Sequence, residues 1–146
     1  MIPARLSIVT LGARDVQGLA GFYQRLGWEL AASADDGFHA FATGGGVLTL
    51  YPLEALARLA NLDPPAAHAG YRGVTLAVNV EQRALVDEAI QTARDAGATI
   101  LAEPEDQDWG GRTGTFADPE GNVWEVAWMP GSSFDERGAL VLPEDS

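Results

Sequence analysis

Phe116-Ala117-Asp118-Pro119-Glu120-Gly121-Asn122-Val123-Trp124-Glu125-Val126 repeats an earlier stretch, Phe41-Ala42-Thr43-Gly44-Gly45-Gly46-Val47-Leu48-Thr49-Leu50. Each copy reads as strand, glycine-bearing turn and strand, which is the pattern of a β-hairpin. Working outward, Val9-Thr10-Leu11 matches Val74-Thr75-Leu76, and each is followed by a helix-like stretch that stops at a glycine, Gly27 and Gly97. Strand, helix and closing hairpin therefore occur twice, as two β-α-β-β-β modules. A unit of this size is short for closing a core alone, so the two copies are expected to share one. The cleft left between them is where chemistry is to be sought.

The rest of the chain fits this frame. Asp15 is placed to cap a helix whose apolar face carries Val16, Leu19, Ala20, Tyr23 and Leu26. Trp28 to Ala32 reads as a strand, and Pro52 opens a joining helix that ends at Asp63-Pro64-Pro65. Asn79 with Gln82 resembles a capping box for a second long helix, with Val86, Ala89, Ile90 and Ala93 inward. Thr99 to Ala102 reads as a strand, Glu103 to Gly111 as an acidic loop, and the residues from Pro130 onward as an irregular tail. The expected organisation is one domain over 1–146: module one at 5–51, a linker helix at 52–71, module two at 72–128 and a tail at 129–146. The expected fold class is α+β, with curved mixed sheets around a shared cleft and helices outside.

Composition narrows the function. The 146 residues contain no cysteine, which removes disulfides, thiolate catalysis and cysteine-ligated metals. The net charge is −12 and all nine basic residues are arginine, so the chain lacks the basic footprint that nucleic acid requires. Its field suits a neutral or cationic small ligand. No apolar run approaches membrane-spanning length and the N-terminus has no basic-then-apolar signal, so a cytoplasmic location with no membrane partner is expected.

Strand alternation sorts side chains into two sets. Val74, Leu76, Val78 and Val80 share one face, while Gly73, Thr75, Ala77 and Asn79 share the other. Trp124, Val126 and Trp128 oppose Val123, Glu125 and Ala127, and Thr49 and Tyr51 oppose Leu48 and Leu50. The small, partly polar set fills a core poorly and lines a cavity well. Glu125 stands out, because a carboxylate between Trp124 and Val126 is costly to bury unpaired. Trp109, beside Gly110 and Gly111, has the makings of a flat wall on a cleft rim. Arg112 is expected to pair with Glu125 or with a ligand carboxylate.

Together these residues resemble the vicinal oxygen chelate superfamily, whose members include glyoxalase I, extradiol dioxygenases and the fosfomycin- and bleomycin-resistance proteins. The resemblance rests on the paired modules, Val-Thr-Leu opening each half, Phe22-Tyr23 before Leu26-Gly27, and Asp118-Pro119-Glu120-Gly121-Asn122-Val123-Trp124-Glu125. It spans about Leu6 to Trp128 and implies a homodimer. It also implies four metal-ligand positions, which fall at Ile8, Thr49, Gly73 and Glu125. Only Glu125 has a strong donor, and a divalent site normally needs about three protein ligands, so no metal and no cofactor are expected. His39 stands in a strand with Phe41, on either face, and His68 in a small-residue linker.

Two functional readings follow. One is a metal-free protein that binds a small aromatic or cationic molecule, as bleomycin-resistance proteins do, with Thr10, Thr49, Gly73, Thr75, Trp109 and Arg112 around the ligand. The other is a metal-independent isomerase or lyase in which Glu125 is the general base and Tyr51 or His39 the acid or oxyanion donor.

Overall fold

The structure, a computed structural model, describes residues 1–65 and 70–142. His68 lies outside the described residues. The chain divides into two compact units, Met1–Ala66 and Ala67–Ser146.

In the first unit, β1 (Ile8–Ala13) leads to α1 (Val16–Arg25), followed by β2 (Leu30–Ser33), β3 (His39–Ala42), β4 (Val47–Pro52) and α2 (Leu53–Leu59). The sheet order is β1-β4-β3-β2, parallel between β1 and β4 and antiparallel elsewhere. Asp15 caps α1 as its position predicts, its Oδ1 accepting from Gly18 N at 2.9 Å. The helix buries Leu19, Ala20, Phe22 and Tyr23, and Phe41, Leu48 and Leu50 are buried beside them in the core. Tyr23 stacks on Trp28 at 5.4 Å between ring centroids. α2 stops at Leu59, ahead of the expected Asp63-Pro64-Pro65, and Asn61 then takes a positive φ of 57°.

The second unit repeats the plan: β5 (Thr75–Asn79), α3 (Ala84–Ala96), β6 (Thr99–Asp106), β7 (Arg112–Ala117) and β8 (Val123–Trp128), in sheet order β5-β8-β7-β6. α3 buries Val86, Ile90, Ala93 and Ala96, and the sheet buries Phe116, Trp124 and Val126. Gly97, at φ 105°, ends the helix in the left-handed conformation.

Three expectations are corrected here. The capping box at Asn79 does not form, and α3 begins at Ala84 with no side-chain cap. Asn79 remains in β5 opposite Ala127, and Val80 N bonds to Ala127 O, so the sheet holds the backbone that a cap would need. The loop expected from Glu103 is strand as far as Asp106, with Glu105 opposite Thr113 and Asp106 opposite Arg112. Two register shifts along β6 give it the irregular pattern that hid it from alternation. The tail contains a small hairpin, β9 (Ser133–Phe134) and β10 (Leu140–Val141), turned by Asp135, whose Oδ1 accepts from Arg137 N and Ala139 N, each at 2.9 Å.

The architecture is thus mixed α+β, with two four-stranded sheets and three helices. None of these helices is long and apolar enough to cross a membrane.

Candidate functional site

Register decides which side chains share a face. In the second unit Leu76 lies beside Trp124 and Val78 beside Val126, on the side that α3 covers. Thr75 lies beside Val123 and Ala77 beside Glu125, and Thr115 is the other neighbour of Glu125, all on the helix-free side. Glu125 is half-buried there. Its carboxylate has no hydrogen bond or ion pair among the described residues.

Four arginines of the same unit are committed elsewhere. Arg72 donates to Asn122 Oδ1 at 2.9 Å. Arg83 pairs with Asp106, and Arg94 with Glu103. Arg112, placed by sequence beside Glu125 or a ligand, instead lies on the α3 side of β7. Its register partner there is Trp128, and it alternates with Thr113 and Thr115. It donates to both oxygens of Asp87 at 2.8 Å and to Asp106 at 3.1 Å. The period-two alternation of a strand sends Arg112 and Thr115 to opposite faces, so Arg112 ties α3 to the sheet and does not pair with Glu125.

This tie has a pH signature. The Arg112 guanidinium lowers the Asp87 carboxyl, and Arg83 followed by Arg112 lowers that of Asp106, both from an ordinary 3.8. The folded values lie below the unfolded ones, so the stabilisation is complete above 3.8 and is lost as pH falls through the folded values. Arg112→Ala is expected to lower the melting temperature at neutral pH. Thermal scans of both proteins down to pH 2 should show the gap closing below about pH 4.

Trp109 sits in the β6–β7 turn, which is closed by Gln107 N on Gly111 O at 2.8 Å and Gly110 N on Gln107 O at 3.0 Å. Its ring lies over Gly111, where a Cβ would come within 1.9 Å of the indole and 2.5 Å of Trp128 O. Only glycine admits that approach. The indole remains 55% exposed, so it is presented on the hairpin rather than sunk in the core.

In the first unit Thr10 and Thr49 are strand neighbours with their Oγ1 atoms 2.6 Å apart, and Thr49 is 3% exposed. Tyr51 shares their face, and its hydroxyl donates to Asp36 Oδ2 at 3.1 Å. That hydrogen bond to a carboxylate raises the phenol above its usual range. His39 is opposite Leu50, on the face turned to α1, with Nδ1 2.9 Å from Gly37 O. Through that contact it braces the turn. Of the expected set, the structure groups Thr10, Thr49 and Tyr51 on one sheet face of the first unit. It groups Thr75 with Glu125 on one face of the second.

The residues do not fit a divalent metal. Ile8 and Gly73 offer no side-chain donor, and Gly73 precedes β5 at φ 80° with nothing within 4 Å of where a Cβ would stand. The Thr49 hydroxyl is taken up by Thr10. No group of three or more histidine, aspartate or glutamate side chains among the described residues is placed to hold an ion.

Sequence reasoning missed Tyr71. Its hydroxyl meets Thr75 Oγ1 at 2.8 Å, which brings the phenol onto the Glu125 face, and its ring is 63% exposed. It precedes the strand and has no alternation to mark it.

Fold and site define a double-module protein with a half-buried carboxylate, unpartnered among the described residues, on the helix-free face of its second sheet. Residues 5–126 match the Glyoxalase/Bleomycin resistance protein/Dioxygenase superfamily, and the chain belongs to that family. Among solved structures it is similar to a glyoxalase-related enzyme from Fulvimarina pelagi, with TM-score 0.86 and 24% identity over 97% of this chain and all (100%) of that one. It is also similar to a glyoxalase/bleomycin resistance protein/dioxygenase family enzyme from Burkholderia phytofirmans, with TM-score 0.75 and 26% identity over 86% of this chain and 98% of that one. An uncharacterised protein of Mycobacterium bovis is 49% identical over 41 residues, which is 28% of this chain and 27% of that protein.

Proposed function

We propose that this chain is a metal-free, homodimeric member of its superfamily that binds a small cationic or aromatic molecule, as bleomycin-resistance proteins do. The carrying observation is Glu125, half-buried and without a partner among the described residues, on a face of threonine, alanine, valine and asparagine whose exposed edge also carries Glu105. A carboxylate in such surroundings is stabilised by an incoming cation or hydrogen-bond donor, and four arginines of its unit are engaged elsewhere. The net charge of −12 draws cations toward the protein and repels anions.

The test is a titration with a panel of cationic aromatic drugs, followed by tryptophan fluorescence. Saturable quenching or a spectral shift is expected, and Glu125→Gln should weaken binding by about tenfold or more, as losing one charge-assisted contact does. A flat response from the wild type across the panel would refute the reading.

The isomerase or lyase reading keeps Glu125 as its base but has less support for its acid or oxyanion donor. Tyr51 is held by Asp36, and His39 lies on the α1 side of its own sheet.

A further inference from the structure

We infer that Tyr71 is a second ligand-contacting residue of the Glu125 face and that the ligand is a para-substituted aryl cation; this rests on the Glu125 reading above. Tyr71 is anchored through its neighbours while its ring stays open. Arg72, the next residue, is tied to the closing hairpin through Asn122 at 2.9 Å, and the Tyr71 hydroxyl to Thr75 at 2.8 Å. A tyrosine that is 63% exposed, yet held by its own hydroxyl and by the guanidinium of the next residue, offers an apolar face at low ordering cost.

Spacing then selects the ligand. Thr75 stands two residues before Ala77, the strand neighbour of Glu125. The register sets Thr75 and Glu125 diagonally on adjacent strands, their residue positions roughly 7–8 Å apart. A flat ligand laid along the face, bonded to both groups from above, covers that distance with one aryl ring carrying a polar group at each end. The cation meets Glu125, the opposite polar substituent meets the hydroxyl pair, and the ring between them lies against the phenol. Ala77 and Thr115 flank Glu125 with small side chains and leave room for a flat group.

The probe is 4-aminobenzamidine, titrated by calorimetry into the full chain and into Tyr71→Ala, Tyr71→Phe and Glu125→Gln. Wild type should bind, and Tyr71→Ala and Glu125→Gln should each weaken binding by about tenfold, with Tyr71→Phe weaker by about threefold. Benzamidine, which lacks the para amine, should not distinguish Tyr71→Phe from wild type. The melting temperature of Tyr71→Ala should stay within about 2 °C of wild type, as for an exposed side chain.

Wild-type affinity in Tyr71→Ala, with binding weakened in Glu125→Gln, would overturn the role of Tyr71 and leave that of Glu125 standing. Wild-type affinity in Glu125→Gln would remove both. If the wild type binds neither amidine, the aryl cation is wrong, and butylamine in the same titration decides the Glu125 reading alone.

Discussion

Phe41→Ala is expected to destabilise the protein by about 3–5 kcal/mol, the cost of emptying a fully buried aromatic site. Phe41 is 0% exposed. It lies opposite Leu48 on β4 and Leu30 on β2, and 6.0 Å from the ring of Tyr23 on α1. The side chain therefore joins both hairpin strands to the helix, and the surrounding groups are held by the sheet and cannot collapse into the void. Thermal unfolding should show a midpoint lowered by roughly 10 °C or more. Phe41→Leu retains most of the volume and should recover more than half of the loss. A shift under about 3 °C for Phe41→Ala would mean that the helix–sheet layer is not what holds this unit together.

Asp118→Ala should cost about 3 kcal/mol and disturb ligand binding as well, because two turn amides lose their acceptor together. Asp118 is 4% exposed. Its Oδ1 accepts from Glu120 N and Asn122 N, each at 2.9 Å, and Asn122 Nδ2 donates to Oδ2 at 2.9 Å. The backbone turn is closed by Asp118 N on Asn122 O at 2.9 Å. This turn sets the register of β7 on β8, which places Thr115 beside Glu125. Asp118→Asn retains an acceptor oxygen for the amides and should restore about half of the stability. The check is a melt of both variants, with affinity for the probe measured on the one that remains folded. An unperturbed Asp118→Ala would show that hairpin geometry alone fixes the register.

Much of this was legible beforehand because it is local. Asp15 three residues ahead of Gly18 makes a cap whatever lies further along the chain. The apolar spacing of Val86, Ile90 and Ala93 gives α3 its inward face from helical geometry alone. Prediction failed where two local signals competed for the same atoms. Asn79 is a good cap in isolation, yet its strand neighbour Ala127 claimed that stretch of backbone. Glu103 to Asp106 reads as loop by charge, but pairing with β7 holds it as strand, and Arg94 accommodates Glu103 while Arg83 and Arg112 accommodate Asp106.

The amino-acid order by itself determined the doubled module, the two faces of β4, β5 and β8, and the lack of side-chain donors at Ile8 and Gly73, since these depend on periodicity and side-chain chemistry. Tertiary structure decided the rest: that Arg112 turns to Asp87, 25 residues away, that His39 faces α1, and that Tyr71 reaches Thr75. Alternation says that two side chains lie on opposite faces. Which face receives the helix, and so which charges are satisfied and which left open, is set only when distant segments pack.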